Sequence, residues 1–466
     1  MKKFLTLCLL LFSSFLLFAE SDEFREAKEQ GIVFSEDNRR LIKCNNKQLE
    51  SLEIPHGVMI ICESAFWGCE SLTSITIPNS VREIWGSAFL GCTSLTSITI
   101  PDSVTGIGGR AFEGCESLTS ITIPNSVKII PYWAFKNCKN LTNVAIPNSV
   151  TDIGAGAFFG CTNLTSVTIP NSVRMIWEEA FLGCKNLTSV TIPNSVTEIR
   201  DGAFCWCTSL TSVTIPNSVR IIGKWAFKGC ESLTSITIPN SVTEIGEEVF
   251  FGCTNLTSVT IPNSVRKIGI SAFENCKNLT SITIPDSVRI IGAAAFYGCE
   301  ELENITINGN IASIGYNAFG NCSNLTSAKF YGNVSKIEDR IFGGCVNLVD
   351  VILPKGIKYI TGRMFEDCKS LKNITIPNSV QGIMYLAFWG CENLTSVTIP
   401  NSVQFIGEKA FRDCTSLTII TIPDSVKEIY YDAFEDCKNL KKASIPFHIY
   451  SNVGNIFPPE CKVDIR

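Results

Sequence analysis

Cysteine is the residue type of this chain best placed for metal, redox or nucleophilic chemistry, and its spacing argues against all but the simplest use. Seventeen of the 22 cysteines stand 23 residues apart, from Cys69 to Cys437. A zinc site needs two to four thiolates converging on one point, commonly from a Cys-x-x-Cys spacing. Ligands 23 residues apart in a row do not converge, and the one close pair, Cys205-Trp206-Cys207, is not a zinc spacing. Disulfides between successive units are compatible with stacked Cα atoms about 5 Å apart in an oxidising compartment, although parallel side chains suit that bond poorly. Buried free thiols acting as small apolar residues fit the row best. The only histidines, His56 and His448, stand near opposite ends of the chain. No Gly-x-Ser-x-Gly, phosphate-cradling glycine loop or calcium-binding acidic repeat occurs. The expectation is therefore a protein that is not an enzyme, with no catalytic residues, no metal site and no cofactor.

The elements that carry these residues are read from the repeat. Phe66, Phe89 and Phe112 open a series of seventeen phenylalanines at the same period, ending at Phe434, and seventeen leucines run from Leu72 to Leu440. Proline recurs from Pro55 to Pro446 and is missing only at Asn308 and Tyr331. In the unit starting at Cys161, Leu164, Val167 and Ile169 end in an alternation that predicts a short half-buried strand. Pro170-Asn171-Ser172 turns the chain, because proline cannot donate to a continuing ladder. Residues 176–183 return it, with Ala180 and Phe181 buried. A five-residue strand has no core of its own, so each coil must be covered by its neighbours, at a spacing of roughly 4.8 Å. Seventeen or eighteen such coils predict one elongated domain on the order of 80 Å long. Short parallel strands would line one face, and turns or short 3₁₀ or helical segments the other.

Composition agrees with a folded, non-electrostatic protein. Of 466 residues, 45% are hydrophobic and 18% charged, and the net charge is −5. That is too apolar for disorder and too acidic to draw the chain to nucleic acid or anionic lipid. Lys2 and Lys3 precede an apolar run from Phe4 to Phe18, then Ala19 meets Glu20. This predicts a signal peptide over residues 1–19, cleaved between Ala19 and Glu20, and a mature chain with no membrane span. The protein is expected to be exported, to the cell surface or medium or alternatively to the periplasm.

The motif Cys-x-x-Leu-x-x-Ile-x-Ile-Pro followed by Val-x-x-Ile-Gly-x-x-Ala-Phe, over about residues 44–446, resembles the BspA-like, Treponema-type leucine-rich repeat. Residues 31–44 resemble the hairpin that opens such arrays. The resemblance implies a leucine-rich-repeat solenoid with an N-terminal cap over 20–48, the array over 49–446 and a C-terminal cap over 447–466. Residues 81–172 and 173–264 align as four-coil blocks. It also implies a bacterial adhesin: a protein-binding scaffold whose partner is a host extracellular matrix protein or another cell's surface. The alternative is a periplasmic structural scaffold.

In the register of such repeats the concave strand positions are nearly all serine and threonine, beginning with Ser74 and Thr76. Exceptions are Asn143, Asn304, Lys329, Asp350, Ile352, Ile419 and Lys442. The stretch 304–360 departs most from the unit and is expected to change the curvature or the surface. All seven tryptophans fall in the variable segment around Ala-Phe, where they either anchor a partner or pack along the back. The candidate partner-binding residues are Trp85, Trp133, Trp177, Trp225, Tyr297, Tyr316, Lys329, Tyr331, Asp350, Tyr385 and Trp389. Arg82, Lys128, Arg174, Arg220 and Arg266, 46 residues apart, form a row read as a solvated surface. Asn-Leu-Thr recurs from Asn140 and is read as strand entry, because the start of the chain looks bacterial.

Overall fold

Proline, leucine and the β-branched residues divide each coil into two short strands and a return. The computed structural model describes residues 21–452 and 456–466. The expected cleavage point, Ala19 and Glu20, lies outside the described residues. Two compact units are present, Met1–Leu164 and Thr165–Arg466.

In the first unit a helix, α1 (Asp22–Glu29), buries Phe24 and Ala27. An antiparallel hairpin of β1 (Ile32–Phe34) and β2 (Arg40–Cys44) follows, and Phe24 meets Phe34 edge to face. From there the chain coils. Strands of three residues at Ser51–Glu53, Ser74–Thr76, Ser97–Thr99, Ser120–Thr122 and Asn143–Ala145 pair in parallel, each residue opposite the one 23 positions on. Only the central residue of each points inward; Ser74 and Thr76 are exposed while Ile75 is buried.

The second unit repeats the pattern, with Ser166↔Ser189↔Ser212 and Ser235↔Ser258↔Ser281 in register. Both units also carry a second parallel row of strands within the expected return segment. Two-residue strands such as Glu83–Ile84 and Lys267–Ile268 form where Val-x-x-Ile places one buried isoleucine beside an exposed residue.

The stretch 304–360 differs in strand length. Asn304–Ile307 and Ser327–Phe330 have four residues. Here Asn308 and Tyr331 stand where other coils have proline, and the Tyr331 N–H donates to the Ile307 carbonyl at 2.8 Å. The ladder continues because a donor is present, which is the proline rule in reverse.

The core consists of columns. Phe66, Phe89, Phe112, Phe135 and Phe158 stack at 5.2–5.5 Å with near-parallel rings in the first unit. Phe181 to Phe457 do so at 5.0–5.8 Å in the second. Beside them the ladder cysteines are free, buried thiols. They do more than fill space. In all but the Phe319 coil the Phe carbonyl accepts the N–H of the cysteine three residues on, as Cys92 N–H to Phe89 O at 3.2 Å. Its second lone pair takes the thiol of the next coil, as Cys115 Sγ to Phe89 O at 3.3 Å. The same bond recurs from Cys92 to Cys437 at 3.0–3.3 Å, for example at Cys253 and Cys322. Cysteine is small, apolar and a weak donor, which is what this position asks for.

Burial drives these thiols upward in pKa: Cys92 and Cys253 are pushed up to about 12, and Cys115, Cys230 and Cys276 well above their ordinary value. Cys44 differs, drawn down to about 7 by hydrogen bonding with Cys69 near the Lys47 ammonium. For Cys92, Cys115, Cys230, Cys253 and Cys276 the folded pKa lies above an unfolded value of about 8.5. Their contribution to stability is full below pH ~8.5 and is lost as the pH climbs toward the folded pKa, at ~1 kcal/mol per pH unit for each thiol. The protein should therefore unfold in urea at steeply lower concentration at pH 10 than at pH 8. Replacing Cys230, Cys253 and Cys276 with alanine should flatten that dependence; an unchanged slope would contradict this role.

Candidate functional site

Two surfaces carry side chains free to meet a partner: the sheet formed by the three-residue strands, and the turn face around Ala-Phe.

The sheet face bears the serine and threonine columns. Its neighbouring threonines are already used: Thr96 Oγ1 donates to the Thr73 carbonyl at 3.2 Å, Thr119 to Thr96 at 3.4 Å and Thr257 to Thr234 at 3.1 Å. These belong to the Leu-Thr pair at strand entry. Their Asn-Leu-Thr asparagines bond coil to coil as well, Asn163 to Asn140 and Asn278 to Asn255 at 3.2 Å. The Ser-x-Thr hydroxyls one step on are left facing outward. In the second unit this carpet is interrupted by Lys329 and Asp350, which pair at 2.7 Å. Beside them Tyr331 is exposed, and Ile352 and Ile419 are exposed isoleucines at hydroxyl positions.

The turn face is positioned by backbone geometry. Two residues before each Phe, from Ser64 to Asp432, the chain adopts φ of 51–64°. Two residues after it, from Gly68 to Asp436, φ is again positive. Glycine, asparagine and aspartate fill the second column in every coil but one, as left-handed conformations favour. The first column holds serine, arginine, tryptophan, glutamate and leucine, which do not favour it. The fold overrides local preference there because most of these N–H groups reach the next coil, as Trp133 N–H to Ala155 O at 2.9 Å and Trp225 N–H to Glu247 O at 3.1 Å. The side chain is thereby directed across the neighbouring coil's turn; a Cβ on Gly156 would strike the Trp133 ring.

The predicted aromatic residues divide by what they touch. In the first unit Trp133 lies between Arg110 and Lys136, each 4.5 Å from its ring centroid. Glu113 pairs with both cations at 3.3 Å. Trp85 donates to Glu83 at 2.7 Å and has Arg40 over its ring. In the second unit Arg200 sits over Trp177, Trp389 donates to Asp413 at 2.9 Å, and the Tyr297 hydroxyl accepts from Asn321 at 2.6 Å. Tyr385 donates to Asp339 at 2.9 Å and lies under Arg363. Near it Arg340 and Glu366 pair at 2.7 Å, and Tyr316 is exposed. Trp225 has no such partner among the described residues. Neither does Trp206, which the sequence reading counted among the tryptophans but not among the binding residues.

Comparison with known families matches the model for the BspA-type leucine-rich-repeat region, six copies long, at residues 43–165, 128–257, 243–371 and 335–461. Among solved structures, a leucine-rich repeat protein from Bacteroides ovatus is 29% identical, with a TM-score of 0.63, over 93% of this chain and 97% of that one. The Treponema pallidum leucine-rich repeat protein is 31% identical over 44% of this chain and 89% of its own, with a TM-score of 0.36. A leucine-rich cell surface protein from Faecalibacterium prausnitzii is 23% identical, with a TM-score of 0.34, over 93% of this chain and 92% of its own. Comparison with curated proteins finds no match.

The first turn column offers a direct check. Ala294 holds φ 51° there, and its N–H donates to Tyr316 O at 2.8 Å. Alanine to glycine ordinarily costs about 0.5–1 kcal/mol in regular structure. At Ala294 the left-handed penalty of roughly 1–2 kcal/mol on the alanine side reverses the sign. Ala294→Gly should raise the urea midpoint; a drop would contradict the backbone assignment.

Proposed function

The chain belongs to the BspA-type leucine-rich-repeat family, and we propose that it works as an exported, non-catalytic protein-binding scaffold, a bacterial adhesin for host matrix proteins or other cells. The observation that carries this reading is the outward sheet of both units. Its Ser-x-Thr hydroxyls recur coil after coil with no convergent acid, base and nucleophile among them. Such a surface suits many weak contacts summed over a long patch, strengthened by effective concentration rather than by one deep pocket. Leucine-rich repeats are fold-level support for protein binding, and the partner must be argued from the surface itself. Here the interruptions at Lys329–Asp350, Tyr331, Ile352 and Ile419 give an otherwise uniform carpet local identity. Among the described residues no helix is long and apolar enough to cross a membrane.

Two measurements test the proposal. Purified residues 20–466 should bind immobilised fibronectin, fibrinogen or fixed partner cells saturably, and Lys329→Ala with Tyr331→Ala should weaken that binding about tenfold. Protease shaving of intact producing cells should remove the protein while a periplasmic control stays intact. Absence of binding to every matrix protein and cell tested would overturn the adhesin role. Protection until the outer envelope is opened would replace it with the periplasmic scaffold.

A further inference from the structure

We propose that a cleft on the turn face of the second unit, between Trp206 and Trp225, is a binding site for a guanidinium group, the arginine side chain of a protein partner. The cleft has a volume of about 370 Å³, and Gly202 forms part of its wall. Trp206 and Trp225 line it, 43% and 40% exposed, together with Glu178, Glu179 and Asp201.

Three observations single it out. The first is the state of the indoles. Trp85, Trp133, Trp177 and Trp389 are committed to a cation or a carboxylate within the protein. Trp206 and Trp225, like Trp67, have neither a cation over the ring nor an indole N–H bond among the described residues, and of these three it is Trp206 and Trp225 that line this one cavity. The second is strain. In the column two residues after Phe, sixteen coils use glycine, asparagine or aspartate, and the seventeenth holds Trp206 at φ 58°. A large aromatic residue in the left-handed region costs roughly 1–2 kcal/mol, and such outliers collect at binding sites. Its ring lies over Gly229, where a Cβ would collide with it, so the next coil is shaped to accept the indole.

The third is charge. Three carboxylates line the cleft against one ammonium, Lys228, which is paired with Glu248 and sits 4.6 Å from the Phe251 ring centroid. Glu178 and Glu179 make no ion pair among the described residues, while Asp201 accepts the Lys224 N–H at 2.8 Å. Unpaired carboxylates beside half-exposed indoles that hold no cation of the protein's own match a planar cation. A guanidinium stacks on an aromatic face and offers its fork to a carboxylate, which a compact ammonium does not.

The scaffold reading is needed only to assign the arginine to a protein; the affinity of the cleft for the group is measured without a partner. The full chain is titrated with acetyl-arginine methylamide and with its uncharged isostere acetyl-citrulline methylamide, followed by ligand-observed NMR. Arginine should bind with a dissociation constant on the order of millimolar, and citrulline at least tenfold more weakly. Trp206→Gly restores the residue type common to the column and should keep or raise the thermal midpoint while abolishing arginine binding. Glu179→Gln should weaken binding several-fold and serves if the first variant fails to fold. Equal binding of both probes, no saturation by about 50 mM, or undiminished affinity in the variants would overturn the proposal. Probe binding without capture of any partner protein would leave the cleft standing and count against the scaffold reading instead.

Discussion

Beyond the opening hairpin, every strand among the described residues finds its hydrogen-bond partners in another coil. A three-residue strand, a two-residue strand and a tight return cannot satisfy their own backbone, and proline closes off the one direction in which the first strand could lengthen. The N–H and C=O groups of a coil are therefore matched by the coils before and after it, at positions 22 to 24 residues away. This requirement fixes the rest. An insertion in one coil would displace every bond on both sides of it, so the period is kept without exception from Phe66 to Phe434. Identical positions then face identical positions, and the interior becomes columns of one residue type.

Cysteine and phenylalanine show how tightly the columns are specified. Phe89 supplies a ring to the stack and a carbonyl with two lone pairs, one taken by its own coil and one by the Cys115 thiol. A larger residue at Cys115 would not fit beside the rings, and alanine would leave the second lone pair bare. The columns also decide what the surface is free to do. Strand-entry threonines and asparagines are spent on coil-to-coil bonds, whereas the Ser-x-Thr side chains face outward and the turn segment bonds coil to coil through its backbone, leaving its side-chain types free to vary. Variation collects there: Trp133, Trp206, Trp225, Lys329, Tyr331.

Much of this was legible in the sequence, because a strict period leaves few alternatives. The strands, the proline turns, the buried Phe, Leu and Cys columns and the family all follow from it. What escaped the reading has identifiable causes. The second strand row is two residues long in most coils, too short for alternation at Glu83-Ile84 to stand out. The first left-handed column was hidden because Arg110, Trp133 and Glu179 are residues that local preference places elsewhere, and tertiary hydrogen bonds override that preference. The stretch 304–360 was marked as different, and the difference lies in strand length at Asn304–Ile307 and Ser327–Phe330. Lys329 and Asp350 were named singly; that they form a pair needed the fold. Trp225 was named too, yet Trp206 was passed over, although its place in a column of glycine, asparagine and aspartate is visible in the sequence once the column is known.

Register between coils, more than any single contact, holds the protein together. Deleting residues 254–276 joins Cys253 to Lys277 and removes one whole coil from the second unit; deleting 254–275 removes one residue fewer and leaves the columns out of step. Thermal unfolding followed by circular dichroism should find the first variant folded, with a midpoint within a few degrees of the parent. The second should lose cooperative unfolding or melt far lower. Equal stability of the two deletions would contradict the claim.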